Sequence, residues 1–146
     1  MVDWSQQRYF EDVVEGEELP STSYAMSIQR LVIEAGANRD FAPLHHNREI
    51  AQFGGAPDMY ANNMFIHGML EKTIREWIGL DGGIRKIGPF RMTLFNPVGE
   101  TTVVHGKVEK KYQEGQENRV DLSLWAAHTK GTTVVGNAVV TLPNRP

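Results

Sequence analysis

The chain has 146 residues, of which 40% are hydrophobic, 23% are charged and none is cysteine. That length suits one domain, residues 1–146, able to bury a core without staples, and the lack of cysteine rules out disulfides and thiolate zinc sites. A net charge of −3 without a clustered Lys/Arg stripe argues against nucleic acid as a partner, and no apolar run approaches the ~20 residues of a membrane span.

The N-terminus, MVDWSQQRYFEDVVEGEELP, is acidic where an export signal would be basic and then apolar, which fits a cytoplasmic address. It reads as an extended arm over residues 1–20, with Tyr9-Phe10, an acidic run from Glu11 to Glu18, and Pro20 at its end. A strand is expected around Ser23–Ser27. In Ser27–Ala37 the apolar residues Ile28, Leu31, Val32 and Ala35 recur at helical spacing, and Gly36 is expected to stop that helix. Asn47 can cap a short helix running through Gln52, after which Gly54-Gly55 open a polar loop, GGAPDMYANN, that carries Tyr60.

The clearest helix runs from His67 to Ile78. Met69, Leu70, Thr73, Ile74, Trp77 and Ile78 form one broad apolar face, with Glu71, Lys72, Arg75 and Glu76 opposite and Gly79 as the stop. Strands follow at 84–95, 101–112, 119–127 and 132–142. Their inward faces read as Thr102, Val104, Gly106 and Val108, then Val120, Leu122, Leu124 and Ala126, then Val134, Gly136, Ala138, Val140 and Leu142. The last three strands make an antiparallel meander. The class is α+β, a sheet curled around one long helix, with an edge that a second subunit can cover.

Candidate chemistry lies in RDFAPLHHNREIA, residues 39–51. Pro43 drives Ala42 out of the helical region, and the resulting bend can bring Asp40 and His45 to one point. A carboxylate beside an imidazole can hold a water and move its protons. The same residues fit a capped turn with a solvated histidine, and on spacing alone both readings stand. A metal is disfavoured, because the adjacent His45 and His46 would point apart in a strand and no acidic pair completes a sphere. In IHGML, residues 66–70, His67 and Gly68 open the long helix. Gly68 there either frees N–H groups for an oxyanion or fits tight packing against the sheet. His105 and His128 read as structural or solvated strand residues, and His46 has no assigned role.

The string D-F-A-P-L-H, with H-G-M-L later opening a helix, resembles the MaoC-type, R-specific enoyl-CoA hydratases of the hotdog fold. Their signature runs Gly-Asp-x-Asn-Pro-Leu/Val-His with a later His-Gly-Met/Ile, and the arm YFEDVVEGEELP is similar to the start of many members. The resemblance implies a dimerising hotdog fold and reversible syn addition of water to a trans-2-enoyl-CoA. Asp40 and His45 would activate the water and the Gly68 N–H would meet the thioester enolate, with His67 and Tyr60 beside the substrate. It implies a coenzyme A thioester as substrate, no metal or redox cofactor, and a homodimer, a higher homo-oligomer or a heteromer with a related hotdog subunit.

The sequence departs from that pattern at Arg39, where glycine is usual, and at Ala42, where asparagine is usual. The interval 46–67 is also long for short-chain members, and its extra length falls in FGGAPDMYANN, the region that the resemblance implies overhangs the acyl pocket. With R-D-F-x-x-x-H-H, which resembles subunits that dehydrate steroid side-chain CoA esters, this points to a bulky or branched acyl group. The alternatives are a hotdog acyl-CoA thioesterase using Glu71 or Glu76, and a non-catalytic subunit of a heteromeric dehydratase.

Overall fold

A computed structural model describes residues 6–146 of the chain, so the first five residues of the expected arm lie outside the described residues. The elements in chain order are β1 (Thr22–Ala25), α1 (Ile28–Asn38), α2 (Arg48–Phe53), α3 (Asn63–Ile78), β2 (Gly83–Met92), β3 (Thr101–Glu114), β4 (Glu117–His128) and β5 (Gly131–Thr141). All five strands join one antiparallel sheet in the order β1-β3-β4-β5-β2. This is the hotdog arrangement expected above, with α3 against one face of the sheet.

The alternation in the last three strands decides which side chains meet α3. Val104 and Val108 of β3, Val120, Leu122, Leu124 and Ala126 of β4, and Val134, Ala138 and Val140 of β5 are all buried. Facing them, α3 buries Ile66, Met69, Leu70, Ile74 and Ile78 in the same cluster, with Thr73 buried on the same helix. Trp77, read as part of this face, is only partly buried against it.

Glycine admits close approach at two points of the wrap. An added Cβ at Gly106 would lie 2.9 Å from Leu19 Cδ2, so this glycine lets the arm's Leu19 seat against β3. The arm is held there by Leu19 N–H to the Gly106 carbonyl at 2.9 Å and Val108 N–H to the Glu17 carbonyl at 2.9 Å. At Gly136 the same atom would overlap the Phe90 ring at 2.0 Å. Phe90 lies across β5 where the β2–β5 register shifts between Ile87 and Phe90.

Four local expectations are corrected. The long helix begins at Asn63, not His67, because Asn62 caps it by accepting the Phe65 N–H at 2.8 Å. The strand expected to run to residue 95 ends at Met92. α1 passes through Gly36 and ends at Arg39, whose φ of 55° is left-handed. α1 also buries Leu31, Glu34 and Ala35 while Ile28 and Val32 are exposed, so its core face is rotated from the one read off the apolar spacing.

Leu70 has no solvent exposure and sits midway along α3. Leu70→Ala is expected to lower unfolding stability by about 2–5 kcal/mol, measured by denaturant titration of both proteins. A loss under about 1 kcal/mol would mean that α3 is not the centre of the core.

Candidate functional site

Asp40 is set by the end of α1. The left-handed turn at Arg39 lets the Asp40 N–H reach back to the Ala35 carbonyl at 2.9 Å, a closure of Schellman type. Glycine is the residue that suits this conformation, so Arg39 carries a strain here that glycine would relieve. The chain then turns through Ala42 into a single 3-10 turn, Pro43–His45, and Ala42 donates its N–H to Asp40 Oδ1 at 3.4 Å. The bend read from Pro43 therefore does what was expected of it: His45 Nε2 comes within 3.2 Å of Asp40 Oδ2.

The two partners differ in access to water. The His45 side chain is 6% exposed and that of Asp40 38%. His45 Nδ1 lies 2.7 Å from the Tyr60 carbonyl oxygen. A carbonyl only accepts, so Nδ1 carries the proton and Nε2 is the nitrogen that binds or releases one toward Asp40. The Tyr60 ring meets the imidazole edge to face at 5.2 Å and leans on Phe95 at 4.6 Å. Tyr60 thus serves through both its backbone and its ring.

Asp40, His45 and Tyr60 open on a cavity of about 350 Å³, completed by Asn62, Asn63, Met64, Met92 and Phe95. A second cavity of about 340 Å³ shares Asn63, Met64 and Met92 with it and adds Ile66, His67, Phe90 and Val134. His67 stands edge to face with Phe90 at 5.4 Å. The first cavity is polar around the dyad and the second is mostly apolar, the pairing that a reacting head and an apolar tail require.

Gly68 is not brought to this place. It is the sixth residue of α3, is exposed, and lines neither cavity. Its N–H falls where each helical N–H faces the carbonyl four residues back. Nor does it serve tight packing, since an added Cβ would meet no atom within 4 Å.

His46 points away, with Nε2 at 3.3 Å from the Phe41 carbonyl. His105 stacks on Trp125, and His128 Nε2 lies 2.9 Å from the Phe95 carbonyl oxygen. Glu71 and Glu76 pair with Arg75 and Lys72 along α3 and line neither cavity. Among the described residues no group of three His, Cys, Asp or Glu side chains could hold a metal ion. No described helix is long and apolar enough to cross a membrane.

Behind the dyad lies a polar cluster that the sequence reading missed. Glu34 is 5% exposed, and its carboxyl accepts the Asn62 backbone N–H at 3.0 Å and the Asn38 amide at 3.2 Å. Burial pushes the Glu34 carboxyl above its ordinary value. The bonds from Asn62 and Asn38 and the nearby His45 pull the other way, and Asp40 adds to the rise. The available signal was a glutamate between Leu31 and Ala35, on the side of α1 that those two residues bury.

No family model matches the chain. Over 75 residues, 51% of the chain, it is 31% identical to the beta subunit of the 3-oxo-4,17-pregnadiene-20-carboxyl-CoA hydratase of Mycobacterium tuberculosis, and the match spans 58% of that relative. Among solved structures it resembles a chain of the ChsH1–ChsH2 complex of the same organism, with a TM-score of 0.80 and 24% identity over 88% of this chain and 98% of that one. It also resembles the R-hydratase PhaJ1 of Pseudomonas aeruginosa, with a TM-score of 0.81 and 19% identity over 94% and 86%. The (R)-hydratase of A. caviae gives 0.81 and 18% over 91% and 99%. These likenesses establish the shared fold, and their names agree with the resemblance read from Asp40 to His45 and from His67-Gly68.

Glu34 gives the site a pH signature. Its folded value is raised, so the stability it contributes is fully present below the unfolded carboxylate value and is lost as pH rises through the folded one. Glu34→Gln cannot ionise. Its stability relative to wild type is therefore expected to improve as pH rises from below about 4.5, read from denaturant titrations at a series of pH values. A difference that stays constant with pH would show that Glu34 titrates normally.

Proposed function

We propose that this protein is an enoyl-CoA hydratase, acting reversibly as a 3-hydroxyacyl-CoA dehydratase. The observation that carries the reading is the dyad: His45 Nε2 stands 3.2 Å from Asp40 Oδ2, with its other nitrogen locked on a carbonyl, at the wall of a cavity. In that reaction a water oxygen bonds to C3 of a trans-2-enoyl thioester while the dyad takes its proton. The π pair moves onto C2 and the thioester oxygen, and a proton then returns to C2 on the same face. Hydrogen and hydroxyl are added, no electrons are exchanged, and no redox cofactor or metal is called for.

The substrate is a coenzyme A thioester whose acyl group is bulky. Two features support this: the polar stretch 54–62 that leads into the cavity through Tyr60, and the likeness to a hydratase subunit named for a steroid carboxyl-CoA. The thioesterase alternative is disfavoured, since Glu71 and Glu76 are engaged in ion pairs on the outer side of α3. The partner is a second hotdog subunit, like or unlike. A neighbour of the same fold is known from a two-component complex, which supports association with a related subunit. A subunit that only completes another's pocket is the second reading, and the intact Asp40–His45 pair weighs against it.

Isolated protein is expected to consume the absorbance of the enoyl thioester without releasing free thiol, and Asp40→Asn or His45→Gln is expected to slow it by about 10²–10⁴-fold. Full activity in Asp40→Asn would remove the mechanism. Tyr60→Ala, which keeps the backbone carbonyl that holds His45, is expected to shift the preference among acyl groups of different size. An unchanged profile would separate Tyr60 from acyl recognition.

A further inference from the structure

We infer that the Asn62 carboxamide is a substrate-contacting donor of this site, giving a hydrogen bond from Nδ2 to the thioester carbonyl oxygen. The inference rests on the hydratase reading above and assigns a group that the reading leaves unfilled.

Asn62 is 2% exposed, and its orientation is imposed from one side. Oδ1 accepts the Phe65 N–H at 2.8 Å, as the cap of α3, and the Asn38 amide at 3.2 Å. Rotating the carboxamide would set its NH₂ against both donors, so Nδ2 is held on the other side. Asn38 is itself tied to Glu34 Oε2 at 3.2 Å, and the Asn62 backbone N–H to Glu34 Oε1 at 3.0 Å. The result is a frame of Glu34, Asn38 and Asn62 that uses Oδ1 and the backbone N–H of Asn62 and leaves Nδ2 over. Nδ2 is buried and has no partner.

A buried donor without an acceptor is costly, and few are retained without a cause. Asn62 lines the same cavity as Asp40 and His45, where a ligand can supply the missing acceptor. The dyad accounts for the water and its protons. The atom still lacking a donor is the thioester oxygen, which collects negative charge as water adds to C3. The N–H groups of Asn63 and Met64 belong to the first turn of the 16-residue α3, have no partner among the described residues, and bring the positive end of the helix to the same wall. Gly68, which the motif alone would assign to this task, lies more than a turn away in the body of α3.

The test uses Asn62→Ser, which keeps a capping oxygen and removes the amide donor. Two measurements are made: hydration of an enoyl-CoA, and calorimetric binding of butyryl-CoA, which offers the same carbonyl but cannot react. Expected are a fall in kcat of about 10²–10³-fold, clearly weaker butyryl-CoA binding and a nearly unchanged Tm. If the serine variant does not fold, Asn62→Asp keeps both Oδ1 bonds and is expected to show the same losses. Hydration and binding within about twofold of wild type in the variant overturn the inference and leave the hydratase reading intact. Wild type that binds butyryl-CoA but hydrates no enoyl-CoA overturns the hydratase reading, while weaker binding by the variant still supports the donor. A lower Tm with unchanged binding reduces Asn62 to a helix cap. Wild type that binds no acyl thioester overturns both.

Discussion

The Glu34 carboxyl accepts the backbone N–H of Asn62, and this buried bond joins the last turn of α1 to the first residue before α3. Asp40 hangs from the end of α1, and the Tyr60 carbonyl that fixes His45 lies two residues before Asn62. Both halves of the dyad are therefore positioned from the two elements that this bond clasps. α3 is in turn immovable, because Leu70, Ile74 and Ile78 are wholly buried against the sheet. Rigidity passes from core to helix, from helix to clasp, and from clasp to Asp40 and His45. A carboxyl buried for this purpose is costly unless its lone pairs are used, and here two donors use them.

The polar cluster and the dyad divide the work. Asp40 and His45 face a cavity and differ in exposure, which leaves the carboxylate open to water while the imidazole is held dry. His45 is fixed by a carbonyl, a partner that cannot take its proton, so the ring keeps one defined tautomer and one reactive nitrogen. Glu34, Asn38 and Asn62 form the unreactive frame behind them. Ala42 contributes only a backbone N–H to Asp40, at 3.4 Å. The side-chain amides that stiffen this site come instead from Asn38 and Asn62, from the opposite side.

What was legible in the sequence follows from which forces are periodic. The inward faces of β3 and β4 read correctly residue by residue, because one buried face of a sheet imposes alternation; on β5 the reading holds for Val134, Ala138 and Val140, while Gly136 is only partly buried and Thr133 is buried beside Val134. The Pro43 bend made it legible that Asp40 and His45 can meet, but on spacing alone a capped turn read equally well, and the role of the pair came only with the resemblance to the hydratases. The start of α3 was not, because Asn63, Met64 and Gly68 are exposed and leave no continuous apolar stripe through its first two turns. The capping residue Asn62 was the signal available, hidden in a stretch whose glycines and asparagines read as loop. Glu34 was missed for a related reason. Ile28 and Val32 set the apparent face of α1, yet both are exposed, and the residue that the fold buries beside Leu31 and Ala35 is charged.

These two misreadings concern the same contact, and that is their physical lesson. A hydrophobic pattern reports burial against the core, whereas Glu34 and Asn62 are buried against each other. Their match lies in hydrogen-bond capacity: two carboxyl oxygens meet two donors, and one amide oxygen meets two more. Nothing in the spacing of either residue announces such a match, because the partners come from helices joined by a long, turning segment. The leftover is a single N–H pair on Asn62 Nδ2, beside the cavity that the dyad faces. Local consistency explains every other polar group of the clasp, so the unmatched one marks where the fold stops serving its own stability and begins to serve a ligand.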